Sequence, residues 1–381
     1  MYRKVLFAYP LQREQRRRLM VSGQILKNTI ERFGEITHVR PAVFDTNGKP
    51  LAVMDETEGL HESSLSAFSA SEEREKTAGS WLLRKIYDDQ EPIYIAAVRR
   101  EAGKAEMALE LIAFQLEGLN AASKERFDTD NFMKNLLLDN LLMIDIYNRA
   151  RKLHITINAK RAVFIVEAIG QENSAHEQMR MLFEQRPQDF ITAVDENNVV
   201  LVRELDQDSK DPYGEMKACA EEMETALTEA GIHTRVAYGT PISEIREVSK
   251  SYKEARLALD VGQIFYEEQS VIAYNSLGIG RLIYQLPLNL CHMFISEVFC
   301  GKSPEEFDKE TLATIYKFFE NSLNVSETSR QLFIHRNTLV YRLDKLQRAT
   351  GLDLRVFDDA ITFKIALMVV KYMDYMEKLD N

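Results

Sequence analysis

The stretch SLNVSETSRQLFIHRNTLVYRLDKLQRATG, residues 322–351, is basic within a chain whose formal charge is −11. Ser326 stands as an N-cap for a short helix, ETSRQLF, and Phe333, Ile334 and His335 form a three-residue break. A longer helix follows from about Arg336 to Thr350, where Gly351 stops it. Two helices joined this tightly make a helix-turn-helix candidate. A helical period of about 100° per residue puts Leu339, Val340, Leu343 and Leu346 on one face. Arg336 opens the helix, and the opposite face collects Asn337, Thr338, Tyr341, Arg342, Lys345 and Arg348. Asn pairs with adenine, Arg pairs with guanine, Thr and Tyr hold phosphates, and a helix N-terminus points backbone donors outward. The local positive charge therefore fits double-stranded DNA; a helix merely kept soluble by its charges is the plainer alternative.

Around this stretch the composition is that of an ordinary globular chain. Of its 381 residues 45% are hydrophobic and 28% charged, with only 16 Gly and 9 Pro, which excludes fibrous and broadly disordered classes. A single core rarely grows past roughly 250–300 residues, so two or three domains are expected. The N-terminal MYRKVLFAYPLQREQRRRLM has an apolar run too short and wrongly ordered for a secretory signal, and no uncharged stretch approaches the roughly 18–20 residues of a membrane span. The expectation is a cytoplasmic protein with no membrane association. Cys219, Cys291 and Cys300 make neither an even disulfide framework nor a CxxC pair, and Cys291, His292 and Cys300 lack a fourth ligand at metal-binding spacing. No metal site and no cofactor are expected.

Three segments follow along the chain. Residues 12–33 read as an amphipathic helix with Leu19, Ile25, Leu26, Ile30 and Phe33 in a stripe. Two apolar runs flank Asn47-Gly48, a strong hairpin signal; EPIYIAAVRR (91–100) is a strand and KAEMALELIAFQLEGL (104–119) a helix. A second unit opens with a helical FMKNLLLDNLL (132–142) and the strand RAVFIVEAI (161–169). Two strands around Glu196-Asn197-Asn198, a helix ended by Gly231, the strand HTRVAYGTP and the helix ISEIREVSKSYKEARLALDVG complete an α/β alternation. Pro287, Gly301 and Pro304 punctuate the passage to an all-helical end.

The string IHRNTLVYRL, Ile334–Leu343, resembles the core of the C-terminal helix-turn-helix of PucR and CdaR regulators, the bacterial purine-catabolism and carbohydrate-diacid regulators. Ser329 stands where that family usually has Ala, a small change whose hydroxyl needs a partner if buried. LDLRVFDDAITFKIALMVVKYMDYM resembles the family's closing helix, apolar almost all round and so buried within the domain or between subunits. SYKEARLALDVG and the strands before it resemble the GGDEF-like domain of CdaR-type proteins. In a working diguanylate cyclase the central hairpin carries Gly-Gly and paired acids. Here it reads AVDENNVVLV, and Asp195 with Glu196 cannot rebuild that nucleotide cradle, so no catalytic residue is assigned. Asp45-Thr-Asn-Gly48, Ala52, Asp55 and His61-Glu62 resemble, more loosely and without the family's Arg, the sugar-diacid recognition domain, a PAS-like sensor.

The resemblance implies a multidomain α+β chain: a PAS-like sensor at 1–125, an inactive GGDEF-like α/β domain at 126–275, a helical linker at 276–310 and a PucR-type helix-turn-helix at 311–381. It implies a DNA-binding regulator, a homodimer on an operator, and a small effector of the sugar-diacid or related carboxylate class contacted by His61, Ser63 and Ser64. Two other classes stay open at this level: a nucleotide or cyclic-dinucleotide signalling protein, and a protein-docking module.

Overall fold

In a computed structural model of the chain, residues 21–54, 57–88, 90–100, 103–168, 172–183, 186, 188–195, 197–299 and 308–380 are described. They fall into two compact units, Met1–Phe132 and Met133–Asn381. Among the described residues no helix is long and apolar enough to cross a membrane.

The first unit runs α1 (Gly23–Thr37), β1 (Pro41–Asp45), β2 (Pro50–Val53), α2 (Glu62–Ala70), β3 (Glu75–Ala78), β4 (Trp81–Asp88), β5 (Glu91–Arg99) and α3 (Ala105–Leu137). The expected first helix lies outside the described residues up to position 20; from Gly23 it forms, with Ser22 Oγ accepting from Ile25 N–H. The hairpin at Asn47-Gly48 forms as its turn chemistry demands. Gly48 has φ 87°, and Asp45 Oδ1 accepts from the N–H groups of Asn47 and Lys49 at 2.9 and 2.8 Å. A Cβ on Gly48 would sit 2.5 Å from the Glu62 carbonyl, so only glycine lets the turn pass beneath the start of α2.

The five strands form an antiparallel sheet of order β2-β1-β5-β4-β3. Leu26 and Ile30 of α1 and Leu109, Ile112 and Leu116 of α3 cover one face over Ile86, Tyr94 and Val98. Leu65 and Phe68 of α2 cover the other over Phe44, Trp81 and Ile95. Helix α3 corrects the reading of two separate helices at 104–119 and 132–142. It is continuous to Leu137, and the chain turns out at Asp139, which adopts φ 62°.

The second unit continues with α4 (Met143–Lys152), β6 (Asn158–Ala168), α5 (Glu172–Phe183), β7 (Phe190–Ala193), β8 (Asn198–Glu204), α6 (Pro212–Glu229), β9 (Thr234–Tyr238), β10 (Ile242–Glu244), α7 (Val248–Phe265) and β11 (Val271–Ala273). Its sheet has the order β11-β9-β6-β8-β7, with β10 also paired to β6 and only β9–β11 parallel. Helices α5 and α6 pack Met179, Met216, Cys219 and Met223 onto Phe164, Val166 and Leu201. On the opposite face α7 is drawn close: Ser251 Oγ accepts from Val163 N–H at 3.1 Å and donates to Thr240 O at 2.9 Å.

Helices α8 (Gly280–Ile283), α9 (Leu288–Val298), α10 (Lys309–Glu320), α11 (Val325–Gln331), α12 (Arg336–Thr350) and α13 (Phe357–Asp380) complete the chain. The closing helix α13 is buried within the chain on two flanks. Phe363, Ala366 and Leu367 enter the core of α10–α12, while Val369 and Tyr372 pack with Ile264, Ile283 and Cys291 of α7–α9.

Candidate nucleic-acid interface

Helix α11 begins at Val325, two residues before the expected start at Glu327. Asn324, not Ser326, is the N-cap, its Oδ1 accepting from Glu327 N–H at 3.0 Å. The turn after α11 is closed by Phe333 N–H on Arg330 O at 3.2 Å and Ile334 N–H on Ser329 O at 3.0 Å. Phe333 takes φ 55° there and is 96% exposed. His335 caps α12, its Nδ1 accepting from Asn337 N–H at 3.2 Å, and Gly351 ends it with φ 81°. The hydroxyl of buried Ser329, where the family resemblance expects Ala, finds its partner in Ser326 O at 2.9 Å.

Leu339, Leu343 and Leu346 are buried against Ile315, Phe318 and Phe363, as helical periodicity requires. The opposite face divides in two. Arg336, Asn337, Thr338 and Tyr341 are exposed, and their side chains make no hydrogen bond or ion pair among the described residues. Arg342 and Lys345 are engaged within the chain. Arg342 is 21% exposed; it binds Glu310 Oε2 at 2.5 Å and donates to Thr314 Oγ1 at 2.9 Å. Lys345 Nζ lies 2.9 Å from Asp308 Oδ2, and Asp308 also caps α10 by accepting from Thr311 N–H at 2.7 Å. The Lys345 ammonium and the Thr311 N–H hold the Asp308 carboxyl well below the usual carboxylate range, and Asp308 in turn raises Lys345. Arg348 is exposed, its Nε donating to Asp344 O at 3.2 Å.

Thus α12 presents an open N-terminal half and a more C-terminal pair of cations that fasten it to α10. Sequence reasoning missed the exposed Phe333 and the capping role of His335; the signal for both was the three-residue break itself.

In the middle sheet, Asp195 is occupied. Its Oδ1 accepts from the N–H groups of Asn197 and Asn198 at 3.1 and 2.9 Å, and Oδ2 lies 3.3 Å from Arg256 Nη1. Glu196 lies outside the described residues. In the first unit, His61, Ser63 and Ser64 are exposed on the opening turn of α2. A cation that sequence reasoning passed over lies in that unit: Lys85, 2% exposed, with Nζ 2.5 Å from Ser71 O and 4.9 Å above the Phe68 ring. Burial lowers its pKa from the ordinary lysine value, partly offset by Glu73 at longer range.

Residues 311–369 match the PucR C-terminal helix-turn-helix domain, and residues 141–261 match the GGDEF-like domain. In these two domains the chain is similar to CdaR/PucR-type regulators. Among its relatives, the carbohydrate diacid regulator of Escherichia coli (strain K12) is 27% identical over 231 residues, 58% of this chain and 60% of that protein. The purine catabolism regulatory protein of Bacillus subtilis (strain 168) is 25% identical over 167 residues, 42% and 31% respectively. The DNA-binding transcriptional activator AdeR of the same organism is 23% identical over 239 residues, 60% and 56%. The chain therefore spans less than two thirds of the length of each of these relatives.

Proposed function

We propose that this chain is a DNA-binding transcriptional regulator whose helix α12 enters the major groove. The observation that carries the reading is the open N-terminal half of α12, where Arg336, Asn337, Thr338 and Tyr341 project without hydrogen-bond or ion-pair partners among the described residues. Base edges fall to Asn337 and Arg336, phosphates to Thr338, Tyr341, Lys345 and Arg348, and Arg342 holds α12 in register against α10. Fluorescence anisotropy on operator fragments at several salt concentrations tests it. Phosphate contacts release counterions, so affinity falls steeply with salt; docking to a protein would leave it nearly flat. A flat slope with every genomic fragment tried removes the reading.

The remaining parts follow the same scheme: a PAS-like sensor at 1–125, an inactive GGDEF-like domain at 126–275, a helical linker at 276–310 and the DNA-binding domain at 311–381. The five-stranded sheet covered by helices supports the sensor reading, and the use of Asp195 to hold its own turn supports the absence of cyclase chemistry. Cyclic dinucleotide formed from GTP and Mg²⁺ by the purified protein would refute that absence. The effector is a small metabolite of the carboxylate class acting at His61, Ser63 and Ser64. Lys85, a buried cation with no carboxylate at ion-pair distance among the described residues, lies at the other end of α2, by Phe68 and Ser71. The functional species is a homodimer, since paired reading helices meet successive major grooves.

A further inference from the structure

Helix α3 has two apolar faces. Its inner face, Ala108, Leu109, Ile112 and Leu116, is buried against the sheet of its own unit. At 100° per residue, Met107, Leu111, Phe114, Gly118 and Ala121 fall on the opposite side, at alternating spacings of four and three. That spacing is the seam of a left-handed helix pair. The three large members are 71%, 50% and 76% exposed, and Gly118 and Ala121 are exposed as well. A helix apolar on both sides needs a second neighbour.

Gly118 supplies an independent observation. Glycine within a helix weakens it, and a Cβ added here would meet nothing within 4 Å, so no packing among the described residues requires its absence. What the glycine leaves is room for a close approach from outside. The order of sizes along the seam says what approaches. In an antiparallel pair of identical helices, Phe114 of each copy falls opposite Gly118 of the other and Leu111 opposite Ala121, so these two large side chains enter the spaces left by small ones, while Met107 at the end of the seam falls opposite Glu125. On the flank, Glu110, already bonded to Arg84, comes opposite Lys124 of the second copy, which in its own chain binds Asp88 at 3.0 Å. Only Glu117 meets its own kind near the axis. The closing helix α13, the other candidate for pairing, has its apolar flanks filled within the chain.

We propose that two copies of this chain pair antiparallel through the outer face of α3, with Phe114 of each seated over Gly118 of the other. The proposal rests on the homodimer reading and names its surface. It is tested on the full chain by sedimentation over a range of concentrations and by chemical crosslinking. The expected mass is twice 43.9 kDa. Phe114→Glu should weaken the dimer at least tenfold with an unchanged circular dichroism spectrum, because the side chain is exposed in the single copy. Glu117→Gln should tighten it. In a Cys300→Ser background, a short bismaleimide should join Leu111→Cys chains to Ala121→Cys chains when mixed, and neither kind to itself.

A monomeric parent protein at every concentration would sink the homodimer reading and this surface together. A dimer indifferent to Phe114→Glu would leave the homodimer and remove the surface. Leu111→Cys chains that join to one another would overturn the antiparallel arrangement.

Discussion

Arg342 and Asn337 stand little more than one helical turn apart, yet they serve different ends. Arg342 binds Glu310 and Thr314 with most of its side chain covered, so Arg342→Ala should lower the stability of the C-terminal helices by about 1.5–3 kcal/mol, read by urea titration, as well as weaken DNA binding. Arg336→Ala and Asn337→Ala should each weaken operator binding by about 1–3 kcal/mol in anisotropy while leaving the unfolding midpoint in place. The Lys345–Asp308 pair carries a pH signature. An acid whose folded pKa is depressed lends stability that is complete above its unfolded value, about 3.9, and is lost as pH falls through the folded value. Lys345→Met should therefore be less stable than the parent at pH 7 and converge with it in increasingly acidic solution below about pH 3.9, by denaturant titration at each pH. The cationic face was legible from residue types alone. Its division was not, because Asp308 and Glu310 lie more than thirty residues upstream and only the fold brings them to α12.

Among the elements, the reading helix and its stop at Gly351 were legible because cap, period and terminating glycine agree. The cap of α11 was misread: Asn324 and Ser326 are both good caps, and the turn that selects Asn324, closed by Asn324 N–H on Asn321 O, runs through Ser322 and Leu323 in the left-handed region, which their residue types do not signal. Helix α2 and strands β3 and β4 escaped notice for a related reason. Trp81, Leu83 and Lys85 share one face of β4, so a buried lysine stands where alternation calls for an apolar residue; α2 is two thirds serine and alanine. Two substitutions test the local chemistry around the break. His335→Ala should cost about 1 kcal/mol by removing the cap on Asn337, and His335→Asn should restore it, in thermal unfolding. Phe333→Gly should gain up to about 1 kcal/mol by relieving the left-handed backbone. Loss of DNA affinity in that more stable variant would mark the exposed ring as a contact.

At the scale of the whole second unit, α13 is the member common to the GGDEF-like module and the helix-turn-helix. Tyr375 donates to Gln263 Oε1 at 2.8 Å, Gln263 donates to Glu167 Oε1 at 2.7 Å, and the rings of Tyr372 and Tyr284 lie 5.7 Å apart. Removing Tyr372, 5% exposed, should cost about 3–5 kcal/mol and split a single calorimetric transition into two as the modules unfold separately. The sequence shows α13 to be apolar almost all round; which neighbour each flank meets depends on where α7–α9 fold. Burial also pushes the Cys219 thiol up to about 12, so peptide mapping after alkylation of the native protein at pH 8 should find it unlabelled.

The double duty of α13 bears on how this chain can be cut. A cassette taken at the boundaries of the helix-turn-helix match, 311–369, stops midway along α13 and leaves Ile365, Met368 and Val369 without the α7–α9 surface that shelters them. Such a cassette would carry a bare greasy edge into solution and clump through it. A transplantable DNA reader from this chain therefore has to travel with α7–α9, or be given polar side chains along that edge before it is moved.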